Sequence, residues 1–322
     1  MRSRKTVKES AVPENRLKGK LSHFSWWRHR AVRLITYILL IDLAFVFLYP
    51  FLYMVITSLK TNQDLLDATV QWIPSSLHFQ NYRLAFHALN LSSTAVTSLI
   101  YTVIGTIGHL LSCSFIGYGF ARYRFPGKNV LFVFLMLMII IPTPSLIAPM
   151  YITFSNLGWL NTYLPVLVPT FFGFGLRGGL FIFIFRQFFQ SLPRELEDAA
   201  RVDGCSHIGT FFRIVLPVSS PVFLVSFVLS LVWHWNDYYE PSIYYGRNPP
   251  LPVALNSMNE LLTSPGKLAN LISEMGIVDA DAIINNAVFM AASFITVLPL
   301  LIVFIFVQRR FMQGIERTGL VE

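Results

Sequence analysis

Long apolar runs recur along this chain, separated by shorter polar segments. Six of them stand out, at 35–58, 94–118, 130–152, 164–185, 216–238 and 286–307. Each supplies the ~20 residues that a helix needs to cross a hydrocarbon core of about 30 Å. None shows the alternation of a membrane barrel strand. The pattern predicts an all-α integral membrane protein with six transmembrane helices. The segments between the runs are punctuated by turn residues. "ARYRFPGKN" at Ala121–Asn129 is short and basic, with Pro126-Gly127 at its centre. The longest, 239–285, is expected to form short helices of its own, because structureless loops of that length are uncommon.

Composition agrees with the pattern. The chain has 322 residues, 54% of them hydrophobic and only 13% charged, against roughly a quarter charged in soluble domains. The net charge of +8 could point to nucleic acid, but its distribution does not. If the first tail is cytoplasmic, 20 of the 25 Lys and Arg fall on the inner side. This is the positive-inside bias, and it predicts a cell-membrane protein with both termini in the cytoplasm. The basic tail with Trp26 and Trp27 then reads as a contact with membrane lipid. A secretory signal does not fit the first run, which follows about 30 residues of basic sequence and has no small-residue cleavage site after Tyr53. The expected organisation is a basic N-tail over 1–33, one six-helix domain over 34–310 and a C-tail over 311–322.

The charged segment Arg186–Arg213 interrupts this apolar chain with four basic and four acidic residues. Each would cost roughly 2.5–3.5 kcal/mol at a bilayer centre, which places the segment in the cytoplasm. Pro193 suits the first turn of a helix, with Glu195 and Glu197 at the positive end of its dipole. Leu196, Ala199, Ala200 and Asp203 fall on one face, made flat by the two alanines. Gly204 suits a left-handed helix end, and Ser206 can cap a second helix. There, Ile208, Phe211, Phe212 and Val215 recur at helical spacing. The expectation is a helix–turn–helix bracket within 190–217, with a small, charged outer face and an apolar inner face. On these grounds alone, a folded connecting loop and a docking surface remain equally open.

The spacing of "DAARVDGCSHIGTFFRIVLP" decides between them. It fits the pattern Glu-Ala-Ala, three residues, Gly, nine residues, Ile-x-Leu-Pro, with Asp198 in place of the Glu and Ala199, Ala200, Gly204, Ile214, Leu216 and Pro217 in register. This resembles the signature loop of ABC importer permeases. "TSLK", "NYRLAF", "YGFARYRFPGKN", "LGWLNTYL", "WHWNDYYEP" and "QRRFMQG" extend the likeness to the carbohydrate branch, the maltose-permease-like subunits. Asp198, a longer N-tail and a longer outer loop before the sixth run depart from that branch. The resemblance implies that the bracket is a coupling helix seated in a cytoplasmic ATPase subunit. Its coupling residues are then Glu197, Asp198, Ala199, Ala200, Asp203, Gly204, Ser206, Leu216 and Pro217. It also implies four partners: a second, different permease subunit, two ATPase subunits and an extracytoplasmic sugar-binding protein. The chain has no GxxxxGK[ST] loop, so ATP and Mg are expected in the ATPase partners, with no cofactor and no catalytic residue in this chain.

Away from the ends of the six runs, Arg177 and Asp42 are the only charges. Arg177 precedes Arg186 by nine residues, which at ~1.5 Å per residue puts it about 13 Å deeper in a helix. There it must face the pathway or pair with an acid such as Asp42. The glycines of "GFGLRGG" (Gly173–Gly179) each weaken a helix by about 1 kcal/mol. Arg177, Asp42, Trp233 and Asn236 are the pathway candidates. Trp233, Trp235 and Tyr238 fit sugar stacking, and fit an interfacial aromatic belt better. The alternative function is an ion-coupled secondary transporter. It would use ionisable groups at midplane, of which two are few, and it has no use for the bracket. An integral membrane enzyme would need converging nucleophiles or acids, whereas His109 stands alone. The histidines show no metal-ligand spacing, so no metal site is expected.

Overall fold

The structure is a computed structural model. It describes the backbone of residues 15–262 and 285–319, and the side chains of 30–260 and 285–309. Two units are distinguished, Met1–Ile56 and Thr57–Glu322. The first is the greater part of a single helix, α1 (Asn15–Ser58). It begins well inside the expected basic tail, and no proline lies between Asn15 and the first apolar run. Its apolar side chains point outward all round, from Val32 to Tyr53, as in a helix whose surroundings are lipid.

The second unit is helical among its described residues. Two short helices, α2 (Asn62–Leu66) and α3 (Gln80–Ala88), precede the long α4 (Leu91–Arg122). Next come α5 (Lys128–Ile140), a tight turn at Thr143–Leu146, α6 (Ile147–Asn156), α7 (Leu164–Thr170) and α8 (Gly178–Ser191). The bracket follows as α9 (Glu195–Val202), α10 (His207–Thr210), a π-helical turn at Phe211–Val215 and α11 (Leu216–Val218). The chain continues through α12 (Ser220–Asn236), α13 (Tyr239–Tyr244), α14 (Leu251–Leu262) and α15 (Asn286–Gly319). α13 and α14 are the short helices expected in the long outer segment. Leu268–Ile272 and the rest of 263–284 lie outside the described residues.

Among the described residues, three stretches are long and apolar enough to cross a membrane: Arg30–Ser58, Leu91–Arg122 and Asn286–Arg309. Two bent pairs bring the number to five if each is one crossing. The first pair turns by 105° where Ile141 goes extended ahead of Pro142, the conformation that a following proline favours. The second turns by 80° at Ser219, between Pro217 and Pro221. The run at 164–185 differs from expectation. It is not one helix: it breaks between α7 and α8, where Gly173, Gly175 and Arg177 all take positive φ.

α4 is the axis of this unit and packs against α7, α8 and α12. Its inner residues join Phe181, Phe185, Phe189 and Phe211 in one apolar cluster beside the bracket. A second cluster, around Leu84, Trp235, Met258 and Ala291, ties α3 and α14 to α12 and α15. The connection between α1 and α4 is pinned by polar bonds. The Lys60 ammonium donates to the carbonyls of Val70 and Gln71. The Asn81 amide donates to those of Ser58 and Lys60.

Candidate functional site

The bracket is built from α9 to α11. α9 closes in a Schellman motif, in which the Gly204 N–H donates to Arg201 O at 3.0 Å and the Cys205 N–H to Ala200 O at 2.9 Å. Such a closure needs a left-handed residue after the helix, and Gly204 supplies it with φ +82°. Ser206 Oγ then accepts the Gly209 N–H at 3.1 Å and caps α10. Both signals were legible in the sequence.

The faces of the bracket are less regular than its periodicity. Asp198, Ala199, Asp203, Gly204, Ser206 and Pro217 are exposed, Leu216 is half-buried and Ala200 is buried. The alanine pair is therefore split between the two sides. Phe211 and Val215 turn inward as expected, but Ile208 is 68% exposed and Phe212 46%. The reason is the π-helical turn at Phe211–Val215, whose wider turn breaks the i, i+3, i+4, i+7 register. The outer surface thus carries small and charged residues together with two apolar tips, Ile208 and Val202.

Glu197 is placed differently from its neighbours. It faces inward, with Oε1 2.6 Å from Arg122 Nε and side-chain exposures of 6% for Arg122 and 8% for Glu197. Neither atom is aligned for a hydrogen bond, so this contact is an ion pair. The other oxygen, Oε2, accepts the Tyr118 hydroxyl at 3.0 Å. Arg122 also donates to Leu192 O at 2.8 Å. The carboxylate just before the motif therefore locks α9 to the last turn of α4, and Asp198 faces out beside Arg201 at 2.8 Å.

Deeper in the unit, the α7–α8 break opens a cavity of about 440 Å³ whose lining includes Arg177, Glu240, Tyr244 and Thr143. Arg177 caps α8 from a left-handed conformation. Its guanidinium lies 4.5 Å above the Trp233 ring, which itself sits edge-on to Phe181 at 5.4 Å. A guanidinium stacked by its face keeps its edge N–H donors free for a polar solute. Asn236 is exposed and its amide donates to Val232 O. Asp42 lies in the first unit, exposed on α1.

Sequence reasoning missed the seam between α4 and α12. Tyr101 donates to Asp237 Oδ2 at 2.5 Å, and Asp237, at the very end of the fifth apolar run, is buried. His234 donates from Nδ1 to Ser230 O at 2.8 Å, and its ring lies 4.9 Å from that of His109. The spacing of His109 in α4 and His234 in α12 holds no local signal of this meeting. Among the described residues no three His, Cys, Asp or Glu converge as a metal site would require.

Comparison with known proteins places this architecture. The arabinooligosaccharides transport system permease protein AraQ of Halalkalibacterium halodurans is 30% identical over 280 residues, 86% of this chain and 92% of that protein. The lactose transport system permease protein LacG of Rhizobium radiobacter is 28% identical over 288 residues, 89% and 96% of the two chains. A chain of a bacterial ABC transporter involved in the import of the acidic polysaccharide alginate superposes with a TM-score of 0.73 at 20% identity. That match covers 88% of this chain and 97% of the other, and shows a shared fold. Residues 113–317, which include α8, the bracket and α12, match the model of the binding-protein-dependent transport system inner membrane component, and the chain belongs to that family of ABC transporter permeases.

Proposed function

We propose that this chain is the membrane-spanning subunit of an ATP-driven, binding-protein-dependent importer of sugars or oligosaccharides. It forms half of the translocation pathway beside a second, different permease subunit. The interrupted segment α7–α8 counts as one crossing, which makes six, with both termini in the cytoplasm. The domain then runs over 34–310, flanked by the basic tail and the C-tail. The chain itself is not catalytic; ATP and Mg are bound by two cytoplasmic ATPase subunits.

The observation that carries this reading is the mechanical continuity of the bracket. Its exposed face of Asp198, Ala199, Asp203, Gly204 and Ser206 meets the ATPase. Glu197 connects that face to α4, and Leu216-Pro217 connects it to α12. A push on the bracket is thereby passed to both walls of the α4–α12 seam. The two-state element that coupling requires is the bent helix pair around Ser219. On the pathway side, Arg177, Trp233 and Asn236 contact the passing sugar, with hydroxyl groups as acceptors. The relatives' sugars support a saccharide substrate. Outside, the segment 239–285 meets the sugar-binding protein.

Recovery of the ATPase with the tagged chain tests the docking face. Ala199→Trp overfills that face and is expected to reduce recovery strongly while membrane insertion stays normal. Undiminished recovery would place the ATPase contact elsewhere.

A further inference from the structure

A second cavity, of about 240 Å³, lies between the bracket and the end of α4. Its lining includes Arg122, Arg194, Arg201, His207 and a single carboxylate, Glu197. That is three guanidiniums and an imidazole against one acid. Glu197 is committed to Arg122, and Arg201 is balanced by Asp198 on the outer side. The Arg194 carbonyl accepts the Glu197 and Asp198 N–H groups, but its guanidinium makes no hydrogen bond or ion pair among the described residues. The His207 ring meets Tyr123 edge-on at 5.7 Å and makes no side-chain hydrogen bond among them.

We infer that this cavity binds a phosphate-type anion, a phosphomonoester or phosphodiester, held by Arg194 and His207 with Arg201 beside them. Planar guanidinium forks match tetrahedral oxyanions. The volume equals that of about eight waters at ~30 Å³ each, enough for one phosphate group and part of its hydration. The site is separate from the sugar pathway and lies behind the docking face. An anion there would add bonds between α9, α10 and α4 and stiffen the joint that the Glu197–Arg122 pair already makes. This goes beyond the transport reading, because it makes the bracket responsive to an anion that is not the transported solute. The phosphate can come from an anionic lipid headgroup or from a soluble phosphate.

The test uses the permease purified with its partner subunits in phosphatidylcholine nanodiscs. One arm titrates inorganic phosphate against sodium chloride at equal ionic strength. The other replaces part of the lipid with phosphatidylglycerol. The expected result is a saturable rise of a few degrees in the melting temperature, kept by Arg194→Lys, reduced by His207→Gln and lost in Arg194→Gln/His207→Gln. A response to inorganic phosphate identifies a soluble ligand. A response to phosphatidylglycerol alone identifies a lipid headgroup. Either supports the site. No saturable response in either arm would overturn it, as would an equal response in wild type and double variant. Loss of the ATPase from Arg194→Gln, with phosphate inert on the wild-type complex, would also overturn it, since the cavity would then receive an acidic side chain of the ATPase.

Discussion

Glu197 Oε1 lies 2.6 Å from Arg122 Nε, and this buried pair joins the bracket to the central helix of its unit. Deleting one partner of a buried ion pair costs roughly 3–5 kcal/mol, whereas replacing both with apolar groups of similar volume is often neutral. Glu197→Leu or Arg122→Met alone is therefore expected to lower the melting temperature and abolish transport. Adding Arg122→Met to Glu197→Leu is expected to restore stability without restoring transport. Thermal melts and uptake of the four species of the cycle check this. Simple additivity of the two stability effects would show that the pair is not coupled.

Gly204 is constrained by its backbone alone. An added Cβ there meets nothing within 4 Å, but φ is +82°, which L-residues reach at a cost of about 1–2 kcal/mol. Gly204→Asn is expected to retain most transport, because Asn tolerates the left-handed region. Gly204→Val is expected to insert normally yet uncouple ATP hydrolysis from transport. Normal uptake by Gly204→Val would show that the shape of the turn does not matter to coupling.

Arg177, in the lining of the cavity at the α7–α8 break, stands over Trp233. Arg177→Met removes the free donors and a cation–π contact worth about 0.5–2 kcal/mol. Sugar-stimulated transport is expected to fall by at least about tenfold, equivalent to ~1.4 kcal/mol, with assembly and basal ATP hydrolysis preserved. Arg177→Lys is expected to recover only part, since an ammonium cannot stack as a plane. Lost assembly in Arg177→Met, with transport restored by Asp42→Asn, would instead make Arg177 half of a structural pair.

How far the sequence revealed this protein depends on how local each signal is. The Gly204 stop and the Ser206 cap are fixed by adjacent residues, and were readable. The apolar runs were readable as membrane segments, but the break between Thr170 and Gly178 was readable only as a weakness, because glycine permits a break without requiring one. The inward turn of Glu197 was not readable, since its partner Arg122 is 75 positions earlier and no periodicity links two residues on different helices. The same holds for Tyr101 with Asp237 and for His109 with His234. The π-helical turn that exposes Ile208 was also hidden, because its residues fit an α-helical pattern equally well.

The connection between α1 and α4 carries a pH dependence. Asp64 accepts the Ser75 hydroxyl at 2.6 Å and the Thr61 N–H at 3.2 Å. The Ser75 hydroxyl, followed by the Thr61 bonds, holds its carboxyl below the usual carboxylate range. A carboxyl lowered by folding stabilises the fold above its unfolded value of about 3.9, and that stabilisation is lost as pH falls through the lowered folded value. The protection factors of the α2 amides, exchange rates corrected for the intrinsic pH dependence, are expected to stay constant above about pH 4 and to fall in more acidic buffer. In Asp64→Asn the acid-dependent step should vanish. A step of equal size in the variant would assign it to another group.

The source of energy for transport tests the central claim most directly. Proteoliposomes carrying this chain with its partner permease and ATPase subunits are loaded with ATP and Mg on the cytoplasmic side and given labelled oligosaccharide with its binding protein on the other. The account predicts uptake that requires both ATP and the binding protein, and that persists when ionophores collapse every ion gradient. Uptake by this chain driven by a proton or sodium gradient, without ATP or a binding protein, would contradict it.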